Sequence, residues 1–303
     1  MGAPAAARLR CSYAADERGD PLAGTAAHAD GFLLIEAPGA WGQNALSESR
    51  LDPEIANVVA TRAAALSYRV LLIKRPGRVA AASKRAWVLA DSTPGAERTT
   101  WGTYASDHEL LDVPLERLPD RGAPPAGPPA AIYLVCTHGR HDACCALRGR
   151  AVAAKLATHR PGQVWECSHI GGDRFAPNVL VLPHGLTYGR VEPVRAIEIV
   201  AAQERAEVVV DLLRGRSVFR PSVQAAQHFA RLAHGSSLID DLDPIGRHTT
   251  PAGDVCVDLR QTNRRMTVTV RPAVGEQAGL LTCKAAHPLH PPTFALRGIE
   301  LHD

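Results

Sequence analysis

Two short segments near the middle of the chain contain residue types that bind metals or carry out redox chemistry. Residues 136–145 and 166–174 together hold four cysteines and three histidines, with Asp173 near the end of the second segment. Thiolate and imidazole are the ligands that zinc, copper and iron-sulfur clusters prefer in proteins. The two segments therefore predict a metal or redox centre.

The spacing of these ligands favours a two-iron, two-sulfide cluster. Such a cluster needs four protein ligands, two on each iron, drawn from cysteines or from cysteines and histidines. Cys136 and Cys145 are separated by eight residues, which is enough for a loop to wrap one side of the cluster. The second segment supplies His169 and, four residues later, Asp173.

Other residues of the two segments are predicted to support the cofactor. Gly171 and Gly172 permit close backbone approach and unusual turns because they have no side chain. Arg174 can donate a charge-assisted hydrogen bond to a cluster sulfur. Three residues of the first segment are interpreted as capping or orienting it: His138, His141 and Asp142.

This pair of segments resembles the sucrase/ferredoxin-like family, whose members resemble thioredoxin-like ferredoxins and carry Cys-x8-Cys followed by His-x-Gly-Gly-His. Cys136, Cys145 and His169 match three ligand positions of that pattern, and the resemblance runs from about Cys11 to the C-terminus. It implies a [2Fe-2S] cluster and a thioredoxin-like fold. The chain departs at the last position, where Asp173 stands in place of the family's second histidine.

Three assignments of the fourth ligand remain open. Asp173 can ligate directly, as a harder ligand than imidazole. Cys167 lies two residues before His169, so on an extended segment both side chains point to the same face. The third possibility is a degenerate site that holds no cluster.

The remaining cysteines have simpler interpretations. Free cysteine is among the most buried residue types, so Cys11, Cys256 and Cys283 are interpreted as bystanders in the core or at the surface. Cys144 would normally point away from its neighbour Cys145. Zinc is the competing metal, although zinc sites favour paired Cys-x2-Cys ligands and the chain has no such pair. The same absence argues against thioredoxin-type thiol chemistry, which uses a Cys-x-x-Cys motif. No glycosidase-like carboxylate motif supports a hydrolase.

Strands and helices alternate around the two segments, which predicts an α/β fold. Strands are predicted at 31–36, 70–73, 86–90, 132–135, 164–167, 179–182, 255–259 and 266–270. Helices are predicted at 53–66, 146–159, 193–213 (one or two) and 221–233. Both ligand segments follow strand ends, where ligands usually bind in open α/β sheets.

A stretch rich in proline and glycine at 119–130 predicts a linker between two domains. An N-terminal α/β domain would occupy 1–118. A domain at 131–303 would carry the cluster loops and C-terminal helical and β additions. Two thioredoxin-like domains are the expected fold.

Composition and charge limit the partners and the cellular location that we expect for this protein. The 303 residues carry a net charge of +3 with no dense basic stripe, so nucleic acid is not an expected partner. No secretory signal or membrane-spanning stretch is expected, and seven cysteines suit a reducing compartment, so the predicted location is cytoplasmic.

The expected function is one-electron transfer through a [2Fe-2S] cluster to an unidentified redox partner protein. An electron carrier or redox protein is favoured over a hydrolase. The alternative from another class is a non-redox binding or scaffold protein whose loops hold a structural zinc or no metal.

Overall fold

The computed structural model describes residues 10–77, 83–117, 130–262 and 264–302. Its α-helices are α1 (Cys11–Arg18), α2 (Pro53–Ala65), α3 (Ala143–His159), α4 (Arg195–Glu204) and α5 (Pro221–His234). Its strands are β1 (Gly31–Glu36), β2 (Tyr68–Lys74), β3 (Arg85–Asp91), β4 (Arg98–Tyr104), β5 (Ile132–Cys136), β6 (Val164–Cys167), β7 (Val179–Leu182), β8 (Leu186–Tyr188), β9 (Leu213–Arg216), β10 (Asp243–Thr249), β11 (Val255–Gln261), β12 (Arg264–Val274) and β13 (Pro292–His302).

Nine strands form one mixed sheet in the order β4-β3-β1-β2-β6-β5-β7-β8-β9. In the first half, β1 and β2 are parallel and joined through α2, while β3 and β4 continue antiparallel beyond β1. The second half repeats this pattern with β5, α3, β6, β7 and β8. The chain is therefore a mixed α/β protein in which two similar halves lie side by side in one sheet.

The two halves meet where β2 pairs antiparallel with β6. Only two residue pairs form this contact, Ile73 with Cys167 and Lys74 with Glu166. Both pairs lie at the C-terminal ends of the two strands, so the loops that leave these ends are brought together at the junction. Ser168 extends it, because its N–H donates to the Leu72 carbonyl at 2.8 Å and its hydroxyl accepts from the Leu72 N–H at 3.0 Å.

Local sequence explains where the helices that flank the junction begin. The Asp52 carboxylate caps α2 by accepting the N–H groups of Glu54 and Ile55, and Pro53 occupies the first helical position. The Asp142 carboxylate caps α3 by accepting the Cys144 N–H at 2.8 Å. The expected capping role of Asp142 is thus confirmed.

A second sheet contains β10 to β13 in sequential antiparallel order. Alternating apolar residues of β11 and β12 face α5 and form a separate buried cluster with it. The loop between β12 and β13, residues 275–291, extends from this sheet to the first one, where Leu280 and Cys283 pack against the main core.

Most predicted elements are confirmed to within a few residues, because their apolar periodicity is strong. The helix predicted over 193–213 is wrong in its second part: α4 ends at Glu204, and Leu213 begins β9. The apolar run around Val208–Val210 suits either a buried helix or a buried strand, so periodicity alone does not decide between them. Strands β4, β8, β9, β10 and β13 and helix α1 are absent from the predicted elements, since they are short or largely polar.

The predicted α/β class is confirmed by a nine-stranded mixed sheet and a second, four-stranded sheet. The predicted linker at 119–130 lies outside the described residues except for Ala130, and the domain boundaries stay predictions. Within the described ranges, no helix is long and apolar enough to cross a membrane.

Replacing Ser168 with alanine should weaken the junction between the halves. The substitution leaves the buried Leu72 N–H without its side-chain acceptor, which costs about 1–3 kcal/mol. Urea unfolding should show this loss, whereas Ser47→Ala, at an exposed serine, should change stability by less than about 0.5 kcal/mol. Equal effects of the two substitutions would contradict the role assigned to Ser168.

Candidate metal centre

The ligand residues of the first segment sit at the end of a strand and the start of a helix. Cys136 is the last residue of β5, and Cys145 lies in the first turn of α3, so the intervening loop folds back on itself. Both thiols are buried. Cys145 Sγ lies 3.3 Å from Asp173 Oδ1, which belongs to a short 3-10 helix after the second loop.

Five side chains form two overlapping groups of potential ligands. The thiols of Cys136 and Cys145 form the first group with His169, and all ligand atoms lie within 4.8 Å of one another. The second group joins His169 to His141 and Asp173 within the same limit. The first group is rich in sulfur and buried, while the second contains nitrogen and oxygen and reaches partly exposed residues. His169 belongs to both.

His169 is the centre of this arrangement. Its Nδ1 lies 3.0 Å from Asp173 Oδ1, yet within the described structure this buried nitrogen makes no hydrogen bond. The ring of His141 stacks on it, with centroids 3.8 Å apart and planes inclined by 20°. His141 Nε2 in turn lies 3.6 Å from Asp173 Oδ2. A buried imidazole nitrogen without a hydrogen bond, facing thiols and a carboxylate, is suited to a metal.

Charge is arranged for a cation at the same place. Burial acts to lower the pKa of His169, but contact with Asp173 and Cys136 outweighs it and raises the pKa to about 9. Contact with Cys145 lowers the pKa of Cys136 well below its ordinary value, against the opposing effect of burial. Without metal, the single proton charge on the His169 imidazolium faces two acidic groups, Cys136 and Asp173, and does not balance both. A metal cation would replace that proton.

The backbone of the second loop is held by side chains from distant parts of the chain. Arg69 of β2 donates to the carbonyls of His169 and Ile170, at 3.2 and 3.0 Å. Arg214 of β9 donates to the Gly171 carbonyl at 2.8 Å, and Asn178 donates to the Gly172 carbonyl at 2.9 Å. Four successive carbonyls of the loop therefore have fixed partners.

Arg214 is almost fully buried. It is 2% exposed, and it also bonds Asn178 and Thr25. Burial, together with the nearby Arg174 and Arg69 guanidinium groups, lowers its pKa to about 9. The Arg214 guanidinium packs against Gly172, whose φ is +78°, in the left-handed region. A Cβ at this position would fall on the guanidinium.

His138 fixes the relation between the two loops. Its Nδ1 accepts the His169 backbone N–H at 3.3 Å, so the proton of a neutral ring lies on Nε2, which donates to the Gly42 carbonyl at 2.7 Å. Burial lowers the pKa of His138, consistent with this neutral form. His138 therefore orients the loops, as expected, and links them to the segment after β1.

Comparison with known proteins identifies the family of this chain. The model of the sucrase/ferredoxin-like family matches residues 22–215, well over half of the chain. The chain belongs to the sucrase/ferredoxin-like family. The matched segment is shorter than the resemblance suggested, since it leaves out Cys11 and the residues after 215. No curated protein and no solved structure matched the chain.

The structure places the two predicted candidates for the fourth ligand differently. Asp173 is 3% exposed and contacts both His169 and Cys145. Cys167 is buried beside Cys136 in the strand register but belongs to neither ligand group. His141, interpreted from sequence as a loop residue only, contacts both His169 and Asp173. It is therefore a further ligand candidate in this member of the family.

The other residues predicted to support the cofactor have visible structural partners. Arg174 directs its Nε to 3.4 Å from Asp20 Oδ2 and lies over the ring of Phe175. Gly171 has a φ of +95° and, with Gly172, turns the chain between His169 and Asp173. The contribution of Arg69 and Arg214 was missed, because each lies far from the loop in sequence and carries no motif.

A cavity of about 400 Å³ opens beside the histidines. Its wall includes His141 and His169 from the ligand loops, Gln43 and Asn44 from the segment between β1 and α2, and Pro53 at the start of α2. The N-terminal half of this family member therefore shapes the access of solvent or a partner to the nitrogen-and-oxygen side of the site.

Gly172→Ala should loosen the second loop. The substitution adds the strain of a left-handed residue, about 1–2 kcal/mol, and drives the new methyl group into Arg214. Gly253→Ala is a matched control, since Gly253 has a φ of +82° but nothing within 4 Å of an added Cβ. Chemical denaturation should show a larger loss for Gly172→Ala, together with weaker metal retention. Equal losses and equal metal content would contradict the proposed clash.

Proposed function

We propose that this protein carries a [2Fe-2S] cluster and acts in one-electron transfer. Membership of the sucrase/ferredoxin-like family supports this proposal. The observation that carries it is the pair of overlapping ligand groups that share His169, one rich in sulfur and the other in nitrogen and oxygen. Such a division suits a cluster with two thiolates on one iron and harder ligands on the other.

The residues present fit this cofactor. Cys136 and Cys145 would bind one iron, and His169 with Asp173 would bind the other. The low pKa of Cys136 suits ligation, since metals bind the thiolate, and His169 Nδ1, which faces Asp173 Oδ1 at 3.0 Å, would lose its proton on binding. His141 is the alternative to Asp173. When bound, the cluster would accept and release single electrons.

The surrounding residues would hold the ligands still during electron transfer. Arg69, Arg214 and Asn178 bind the carbonyls of the second loop, so the backbone that carries His169 and Asp173 resists displacement. Burial of the two thiols keeps water from the sulfur-rich side. The His141 side chain, 32% exposed, provides the contact with solvent through which an electron partner could approach.

A structural zinc is the second candidate, favoured by the compactness of the site. Cys145 Sγ and His169 Nδ1 lie 3.3 and 3.0 Å from the same Asp173 oxygen, short enough for neighbouring ligands of a single ion. In that case the chain would be a binding or scaffold protein without redox activity.

The proposal extends to the fold of the two halves, the place where a redox partner would dock and the cellular location. The repeated strand order of the two halves supports thioredoxin-like units joined through β2 and β6. A redox partner protein would dock near the cavity beside His141. A cytoplasmic location remains a proposal that rests on the seven cysteines of the chain.

The visible spectrum and metal content of anaerobically purified protein test the function directly. We expect two irons and two acid-labile sulfides per chain in this centre, a brown colour and a rhombic electron paramagnetic resonance signal after reduction by one electron. A colourless centre with a single zinc, and no cluster after anaerobic reconstitution, would overturn the proposal in favour of the scaffold role.

Substitutions should then identify the fourth ligand. Asp173→Ala should release the cluster at least tenfold faster and alter its resonance signal, because removal of a ligand exceeds the roughly 10–100-fold effect of supporting residues. Asp173→His restores the family's second histidine and should retain the cluster with a changed spectrum. Cys167→Ser should leave the spectrum unchanged, as should the control Cys256→Ser. An unchanged spectrum in Asp173→Ala, with loss in His141→Ala, would assign the ligand to His141.

A further inference from the structure

A second cluster of thiols lies next to the candidate metal centre described above. The Sγ atoms of Cys11, Cys144 and Cys283 form a triangle with sides of 3.7, 3.4 and 3.5 Å. The Asp142 carboxylate lies 3.7–3.8 Å from Cys11 Sγ. Cys11, Cys144 and Asp142 are fully buried, and Cys283 is partly buried. Cys11 and Cys283, interpreted from sequence as bystanders, thus lie together with Cys144 and Asp142 in one group that could hold a metal ion.

We propose that Cys11, Cys144, Cys283 and Asp142 bind one zinc ion, separate from the family's metal centre. The side lengths of the triangle carry this assignment. With metal–sulfur bonds of about 2.3 Å, two ligands of a tetrahedral zinc lie about 3.8 Å apart. The three thiols are already close to that separation before any ion is placed.

The same distances argue against the other uses of these thiols. A disulfide needs sulfurs about 2.05 Å apart and joins only two of them. Here the three separations are nearly equal, so none of the pairs is preferred. In a [4Fe-4S] cluster each thiolate binds a different iron, which would hold the sulfurs farther apart. A single ion is the arrangement that uses all three.

The Asp142 carboxylate is already oriented for a fourth ligand. Oδ1 accepts the Cys144 N–H at 2.8 Å, and Oδ2 accepts the Cys283 N–H at 2.6 Å. Each oxygen retains a second lone pair. Among the described residues, Asp142 takes part in no ion pair, so this buried carboxylate has two N–H donors but no cation beside it. A divalent ion would supply the missing positive charge.

The site joins three distant parts of the chain. Cys11 begins α1, Cys144 lies in the first turn of α3, and Cys283 belongs to the loop between β12 and β13. Cys11 and Cys283 lie outside the segment that matches the family, 22–215, so two of the four ligands lie beyond that match. The adjacent Cys145 belongs to the first centre. Zinc here would therefore fix the first turn of α3 and attach the C-terminal loop to it.

Metal analysis of single variants tests the site whatever metal the first centre holds. Wild-type protein purified with reduced thiols should contain one zinc per chain that Cys11→Ser and Cys283→Ser both lose, with at least tenfold weaker retention. Both variants should keep the metal of the first centre. Cys136→Ser should show the reverse, losing the metal of the first centre and keeping this zinc. Cys256→Ser is the matched control, because Cys256 is a buried cysteine on β11 away from both sites.

Cobalt provides a second, spectroscopic readout of the site. Cobalt(II) added after zinc removal should give sulfur-to-cobalt charge-transfer bands and the visible bands of a tetrahedral ion, with one equivalent assigned to this site by its absence in Cys283→Ser. Circular dichroism would identify a variant that fails to fold.

Two results would overturn the proposal. The first is zinc and cobalt binding that neither Cys11→Ser nor Cys283→Ser reduces. The second is a disulfide among these three cysteines in protein kept anaerobic, detected as a loss of two mass units. Failure of the first centre to hold iron would leave this proposal intact, because its zinc is counted through different cysteines.

Discussion

The pairing of β2 with β6 is the contact on which the rest of the structure depends. It involves two residue pairs at the C-terminal ends of both strands, extended by the two hydrogen bonds between Ser168 and Leu72. Because the strands run antiparallel and overlap only at these ends, the loops of both halves converge at one place. The ligand loops after β5 and β6 therefore face the segment after β1, and His138 bonds to Gly42 across the junction.

Convergence alone would leave the second ligand loop free to move, and two arginines, Arg69 and Arg214, hold it in place. Arg69 reaches the second ligand loop from the first half, and Arg214 reaches it from β9. Their guanidinium groups satisfy backbone carbonyls that would otherwise be buried without donors, which is costly in a low-dielectric interior. The result is a frame of fixed hydrogen bonds around the backbone that carries His169.

The first turn of α3 connects the two groups of cysteines. Its consecutive residues Cys144 and Cys145 lie in different clusters, and the capping residue Asp142 contacts one of them. A helix turns by about 100° per residue, so neighbouring side chains face different directions. A single helical turn can thus serve both centres, and any ion bound to Cys144 stabilises the backbone that positions Cys145.

Local sequence determined the chemical character of this protein: thiol and imidazole donors after predicted strands, caps for α2 and α3, and most strands and helices with strong periodicity. It also identified the family through Cys136, Cys145 and His169. Only the tertiary structure joined the halves into one sheet, set Asp173 and His141 against His169, and brought Cys11 and Cys283 to Cys144. Those contacts join residues more than a hundred positions apart in several cases, and they depend on packing and strand register, which no local pattern of residue types specifies.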